Sequence, residues 1–192
     1  MAGKQAKTLS APQIQELFDH VRGRKDHLRS RVIIALSFYA GLRACEVCGL
    51  QWQMVLDISG RVAETIAVEN SISKKKHGRD IPMHPEIRRA LIALLRRTPR
   101  PFGPIIRSRK GGAMRANSLV NWYRKIFREM QYAGASSHSG RRTWATRLAH
   151  YSNEANASVF DIRDLMGHSD VATTTRYVES DSKVRRKLTS LL

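Results

Sequence analysis

Six kinds of position in this chain carry side chains that act on phosphate esters. They are Arg43, the lysines Lys74, Lys75 and Lys76, His138, Arg141, His168 and Tyr177. A phenol becomes a nucleophile once it loses its proton, an imidazole moves protons, and an ammonium can protonate a departing oxygen. A guanidinium is permanently charged, planar and bidentate, which suits it to the non-bridging oxygens of a phosphate. The chemistry such a set could perform is attack by Tyr177 on a DNA phosphodiester, with the others holding and protonating it. Taken singly, each has an ordinary explanation: an amphipathic-helix tyrosine, a helix-capping histidine, a loop histidine, a solvated lysine cluster. Their joint placement at element boundaries is what sets them apart, because side chains distant in sequence can converge there.

The bulk composition supports a polyanionic partner. The chain has 192 residues and a formal net charge of +18, from 34 Lys and Arg against 16 Asp and Glu. That length can bury one real core, and 42% hydrophobic with 26% charged residues reads as globular. Such a field attracts nucleic acid by default. A membrane surface is the competing partner, but no long apolar run or polybasic amphipathic anchor is present, so no membrane partner is expected. The start, Met1-Ala2-Gly3-Lys4, lacks an apolar leader core, so a cytoplasmic location is expected. Cys45 and Cys48 form the only CxxC pair. No second pair completes a structural zinc site and no redox fold surrounds it, so two small apolar side chains on one helical turn are expected.

The elements that must position these residues are mostly helices. Residues 1–9 read as a short polar lead. Ser10, Pro12 and Gln13 form a capping box opening a helix with Ile14, Leu17, Phe18 and Val21 on one face. A basic link precedes a more apolar helix with Val32, Ile33, Leu36 and Tyr39, ended by Gly41 as its C′ glycine. A helix restarts at once, so Arg43 stands at a helix N-terminus. The dipole disfavours a cation there unless an anion, Glu46 or a phosphate, shares that end. Residues 54–58, 66–68 and 79–82 have strand character and predict a small antiparallel sheet. The last hairpin of that sheet carries Lys74, Lys75 and Lys76.

Further on, His84-Pro85-Glu86 opens a helix with Ile87, Leu91, Leu94 and Leu95, and Pro and Gly mark 98–116 as a loop. Asn117-Ser118 is expected to cap a helix bearing Leu119, Trp122, Ile126 and Phe127. From Ile87 to Arg128 there is no carboxylate, while Arg88, Arg89, Arg96, Arg97, Arg100, Arg107, Arg109, Lys110, Arg115, Arg124, Lys125 and Arg128 all fall there. Solvated helices interleave both signs, so this run reads as phosphate-facing surface. Ser136 to Ser139 starts a helix placing His138 and Arg141 on one face near its N-terminus. A helix from about Ser158 to Met166 stops at Gly167, and Ser169-Asp170 caps a short helix from Val171 to Val178 that includes Tyr177. The tail from Lys183 is basic and amphipathic, with Val184, Leu188, Leu191 and Leu192 needing burial in cis or in a neighbouring protomer.

Four boxes, in this order and spacing, carry a resemblance. Gly41-Leu42-Arg43-Ala44-Cys45-Glu46, His138-Ser139-Gly140-Arg141, Leu165-Met166-Gly167-His168 and Thr174-Thr175-Arg176-Tyr177 resemble the signatures of the tyrosine recombinases, or phage-type integrases. Ser73-Lys74 ahead of Arg79-Asp80-Ile81-Pro82 looks like their β-hairpin lysine box. The resemblance runs from Leu9 to about Val178. It implies a mainly α fold with a small antiparallel β-sheet (α+β), a catalytic domain over 10–178 after the 1–9 lead, and a tail over 179–192. It implies site-specific DNA recombination through a tyrosine linked to a DNA 3′-phosphate. It also implies double-stranded DNA as partner, a homo-tetramer on DNA, and no metal or nucleotide cofactor. Accessory DNA-bending proteins are candidates for further partners.

Two departures stand out. Gly140 occupies a box position usually held by leucine, which predicts looser packing with the chemistry retained. The usual N-terminal helical domain has no counterpart here. The chain is therefore either similar to short members such as fimbrial phase-variation invertases, or the catalytic piece of a longer protein.

With that family in view, Arg43 and Arg141, supported by His168, would stabilise the charge that builds on the phosphate oxygens. Tyr177 has a reference pKa of about 10 and needs help to ionise, from His138 as base and from the arginines. Lys74 is the expected general acid, with Lys75 and Lys76 as neighbours, and Glu46 would buttress Arg43 or His138. Lys75, Lys76, Arg79, Arg107, Arg109, Lys110, Arg115, Arg124 and Lys125 are the expected DNA contacts. Two other functions compete: a non-catalytic DNA-binding regulator on the same scaffold, and a relaxing topoisomerase of the type IB kind.

Overall fold

The computed structural model describes residues 5–73, 77–152, 154–155, 157–167 and 170–175. Lys74, Lys75, Lys76, His168, Tyr177 and the tail therefore lie outside the described residues. Eight helices and two strands are assigned among the described residues. In chain order they are α1 (Ala11–Arg22), α2 (His27–Tyr39), α3 (Ala44–Gly49), β1 (Thr65–Val68), β2 (Arg79–Pro82), α4 (Pro85–Leu95), α5 (Ala116–Glu129), α6 (Ser139–Tyr151), α7 (Val159–Met166) and α8 (Val171–Thr175). The fold is thus mainly helical with a small two-stranded antiparallel sheet, as the sequence predicts. The chain divides into two compact units, the first ending at Trp144 and the second starting at Ala145.

In the first unit α2 is the hub. Every residue from Val32 to Phe38 is buried, and α1, α3 and α4 all pack on it. The sequence predicts a more apolar helix here, and a central helix with neighbours on several sides buries most of its girth. α1 starts as read, with Ser10 and Gln13 capping each other reciprocally, and it buries Ile14, Leu17, Phe18 and Val21. α5 lays Leu119, Tyr123, Ile126 and Phe127 into the core. The sheet pairs Ile66 with Ile81 and Val68 with Arg79, with Ile66, Val68 and Ile81 facing inward.

Four local expectations change. Residues 54–58 do not form a strand. Trp52–Met54 is one turn of 3-10 helix, and Leu56 makes only an isolated bridge to Val62. Asp57 explains the break: its carboxylate accepts from the Ser59 N–H at 2.8 Å and the Arg61 N–H at 3.0 Å, which closes a turn before a ladder can extend. α5 begins at Ala116 behind Arg115, ahead of the expected Asn117-Ser118 cap. The loop before it is partly ordered by its own short bridge, Arg107 to Ala113, over buried Ile105 and Ile106. The N-terminal lead is also more than polar lead. Leu9 is buried and its N–H donates to Thr143 Oγ1 at 2.9 Å, while Lys7 N–H donates to the Gly134 carbonyl.

The second unit holds the rest of α6, then α7 and α8, which pack on each other. α7 stops at Gly167, as the sequence predicts, with φ of +59°, and at its start Ser158 and Asp161 cap each other. Among the described residues no helix is long and apolar enough to cross a membrane.

Candidate active site

The site grows out of the sharp turn between α2 and α3. Gly41 takes a left-handed backbone, φ +59°, which reverses the chain directly after α2. A side chain there would also collide with a neighbour, because a Cβ on Gly41 would lie 2.2 Å from the Trp144 ring. Two residues later Arg43 caps α3. Its cation stands at the wrong end of a helix dipole, and Glu46 resolves the conflict. Glu46 Oε2 accepts from the Arg43 backbone N–H at 2.8 Å, and Oε1 accepts from Arg43 Nη1 at 3.0 Å.

Glu46 is fully buried, and a carboxylate there must be compensated. The second compensation comes from the sheet. Arg79, at the start of β2, donates Nη1 to Oε1 and Nη2 to Oε2, both at 3.1 Å. Four donors thus meet the roughly four acceptor sites of the carboxylate. Burial pushes the Glu46 pKa up. The hydrogen bonds and charge of Arg79, then the N–H and charge of Arg43, outweigh that and hold it below the ordinary carboxylate value.

α6 brings the second guanidinium. Three residues on its first turns seat against the end of α2. Gly140 meets Ser37 so closely that a Cβ would stand 2.7 Å from the serine Cβ and 2.9 Å from its carbonyl. Trp144 lies over Gly41, and Arg141 donates Nη1 to the Gly41 carbonyl at 2.7 Å. That carbonyl lies just past the C-terminus of α2, where a cation is favoured. Arg141 is 7% exposed, and the Arg43 side chain is 17% exposed. One short segment, 41–43, therefore carries one arginine and anchors the other. The expected looser packing at Gly140 is corrected here. The glycine is a close-approach residue, and the missing side chain is what lets α6 reach α2.

His138 stands immediately before α6 with its carbonyl accepting from Arg142 N–H at 2.9 Å, and its side chain is exposed. The Ser136 to Ser139 turn holds it: Ser136 N–H donates to Ser139 Oγ at 2.9 Å.

Of the expected DNA contacts, Arg107, Arg109, Lys110, Arg115, Arg124 and Lys125 are exposed. Arg107 holds its own loop, donating to the Phe102 carbonyl at 2.7 Å, and Arg124 donates to Asn121 at 3.0 Å. Lys125 lies 3.9 Å from Glu129. Arg79 differs from these: its side chain is 6% exposed and forks onto Glu46. Arg88 is likewise a structural residue, with both Nη atoms on the Val62 and Ala63 carbonyls at 3.0 Å. The carboxylates that meet the basic run come from its flanks, Glu64, Glu86 and Glu129.

The sequence reading did not identify Tyr123 or Ser37. Tyr123 is buried and donates to Ser37 Oγ at 2.6 Å, tying α5 to the α2 surface that receives Gly140. A tyrosine on an apolar helix face was the available signal, since a buried phenol needs a partner. Cys45 and Cys48 are free thiols on α3. Cys48 lies in the core, and burial, with Cys45 adding to it, pushes its thiol up to about 12. Among the described residues no three His, Cys, Asp or Glu side chains are grouped as metal ligands would be.

Against known proteins, the Phage integrase family model matches residues 7–183. The tyrosine recombinase XerC of Myxococcus xanthus is 28% identical over 162 residues, covering 79% of this chain and 50% of that protein. The chain thus spans about half the length of the curated relatives it matches. Among solved structures, the Tn1549 transposon integrase in complex with circular intermediate DNA superimposes with a TM-score of 0.78 at 20% identity, over 100% of this chain and 69% of that one. The XerH site-specific recombinase bound to difH substrate gives 0.73 at 18% identity, over 99% and 55%. With a mainly helical fold and one small sheet, Arg43 on the 41–43 turn, Arg141 of α6 anchored to that turn, and a family match over residues 7–183, the chain belongs to the phage integrase family.

Proposed function

We propose that this chain is the DNA-cleaving and rejoining domain of a site-specific tyrosine recombinase. The observation that carries the proposal is the pairing of Arg43 and Arg141 through one turn. Arg43 is held by a fully buried Glu46, and Arg141 by the Gly41 carbonyl. Two guanidiniums locked by their surroundings form a preorganised clamp for a phosphate, and such a clamp lowers a barrier because it need not reorganise as charge develops.

In this mechanism the clamp takes the non-bridging oxygens of one DNA phosphodiester. His138, exposed at the entrance of α6, receives the phenolic proton of Tyr177. The phenolate attacks phosphorus, a Tyr177–phosphate bond forms, and the bond to the 5′-oxygen breaks. Lys74 supplies the proton to that oxygen, and His168 adds to the clamp. The tyrosyl phosphodiester keeps the bond energy, so a 5′-hydroxyl from a partner strand can reverse the step without ATP. The exposed cations Arg107, Arg109, Lys110, Arg115, Arg124 and Lys125 bind the DNA backbone beside the site. Strand exchange between two duplexes needs four copies, so a homo-tetramer on DNA in the cytosol is the working form.

The test is incubation with a pool of nicked duplexes of randomised core sequence, followed by boiling in detergent and sequencing of DNA that stays attached to protein. Adduct is expected with the parent and not with Tyr177→Phe or Arg141→Ala. A parent without adduct, or a Tyr177→Phe protein that still forms it, refutes the proposal.

A further inference from the structure

Arg79 has the composition of a DNA contact and the geometry of something else. It opens β2, five residues after Lys74 in the chain, where the hairpin loop rejoins the sheet opposite Val68. A phosphate-binding arginine keeps its fork toward solvent, but this one is 6% exposed. Its two terminal nitrogens meet the two oxygens of Glu46 in a parallel fork at 3.1 Å each. The other face of the same carboxylate carries Arg43. Glu46 is therefore a shared anion between a guanidinium from the sheet and a guanidinium from the 41–43 turn.

Two physical consequences follow. Glu46 has no solvent to fall back on, so its orientation is set by its donors. Arg79 contributes two of the four. Without Arg79 the carboxylate would rotate toward Arg43 alone, and the Arg43 guanidinium would follow it. The charge balance at the turn would also change. With Arg79 present, Glu46 is shared between two cations and leaves Arg43 net positive toward a phosphate. With Arg79 gone, Glu46 draws on Arg43 alone, which turns the guanidinium and weakens its pull on the reacting phosphate without removing its charge.

The base of the hairpin closes tightly just before Arg79. Gly78 N–H donates to Asn70 Oδ1 at 2.6 Å, and a Cβ on Gly78 would stand 2.7 Å from the Val68 carbonyl. Arg79 thus sits on a tightly closed ladder end.

We propose that Arg79 is a positioning residue of the phosphate clamp, acting through Glu46 on Arg43, and is not a DNA contact. The inference rests on the DNA-cleaving reading for its catalytic part. Its binding part is measurable without that reading.

The experiment uses the 192-residue chain in two assays. In the first, binding to random-sequence duplex DNA is measured across a salt series. A phosphate contact contributes about one unit to the slope of log affinity against log salt. Arg79→Ala is expected to keep the parental slope, and a slope reduced by about one overturns the inference whether or not the protein cleaves DNA.

In the second, the single-turnover rate of adduct formation is measured at saturating concentration of the best nicked duplex from the pool. Arg79→Ala is expected to fall about a hundredfold, the scale for a catalytic group displaced by about an ångström. Arg79→Lys should recover part of the loss, and Glu46→Gln should fall alike. The double variant Arg79→Ala/Glu46→Gln should be no slower than the slower single one, because both act on one group. A substrate with a 5′-bridging sulfur leaves as a thiolate without needing a proton. The Arg79→Ala defect should persist on it, and full rescue would reassign the residue to the leaving-group acid and overturn the Arg43 route. If Arg79→Ala does not fold by circular dichroism, Arg79→Gln takes its place with the same expectations. No adduct from the parent removes the recombinase reading, whereas a parental rate in Arg79→Ala removes this inference alone.

Discussion

Replacing Gly140 with alanine tests how α6 is held against α2. The added Cβ would lie 2.7 Å from Ser37 Cβ and 2.9 Å from both the carbon and the oxygen of the Ser37 carbonyl, where ordinary contact starts at 3.4 Å. The obstacle is mostly backbone of a buried helix, which cannot swing aside as a lysine tip can. The first turn of α6 must therefore retreat by about 0.7 Å, the shortfall between those distances. Overpacking of this kind costs about 2–3 kcal/mol. Alanine returns about 1 kcal/mol of helix propensity, so the net loss is about 1–2 kcal/mol. For a chain of this size that lowers Tm by about 3–6 °C. The same retreat would carry Arg141 off the Gly41 carbonyl, so adduct formation should fall more than stability does. Differential scanning calorimetry reads the first effect, and the nicked-duplex assay reads the second. Gly23→Ala is the control: nothing lies within 4 Å of its Cβ and its φ is −79°, so it should be neutral or gain up to about 1 kcal/mol. A Gly140→Ala protein as stable and as active as the parent would refute the close-approach argument.

Two further perturbations probe the same scaffold. Tyr123→Phe removes the donor to Ser37 Oγ and leaves a buried hydroxyl with one partner fewer, which should cost about 1–2 kcal/mol in urea unfolding; a loss below about 0.3 kcal/mol would mean that bond contributes nothing to holding α5 on α2. Acid should weaken the protein through Glu46, whose folded pKa lies below its ordinary value. A depressed carboxylate contributes stability that is present above the unfolded pKa of about 4.3 and is lost as pH falls through the folded value, since the unfolded chain binds the proton first. Unfolding free energy followed from pH 7 downward should therefore drop less steeply in Glu46→Gln than in the parent, and identical acid limbs would contradict the pairing.

Much of the helical scaffold was readable because local rules act within a few residues. Ser10 and Gln13, His84 and Pro85, Ser158 and Asp161, and the C′ glycines Gly41 and Gly167 mark helix ends by chemistry that needs no tertiary partner. The strand expected over 54–58 failed for the same reason: one side chain, Asp57, closes a turn that β-rich composition does not reveal.

The sequence by itself determined a basic, mainly helical chain whose arginine and histidine boxes belong to one family, because residue type, order and spacing are properties of the chain. It could not decide what each cation faces. Arg79 and Arg109 look alike as letters, yet one lies against a buried carboxylate and the other stands in solvent. Gly140 reads as a missing leucine and proves to be the point where two helices touch. Those outcomes depend on which partners the fold brings within 3 Å. Glu46 answers to Arg79, 33 residues away, and Gly41 to Arg141, 100 residues away. Separations of that length are set by packing, and no local pattern encodes them.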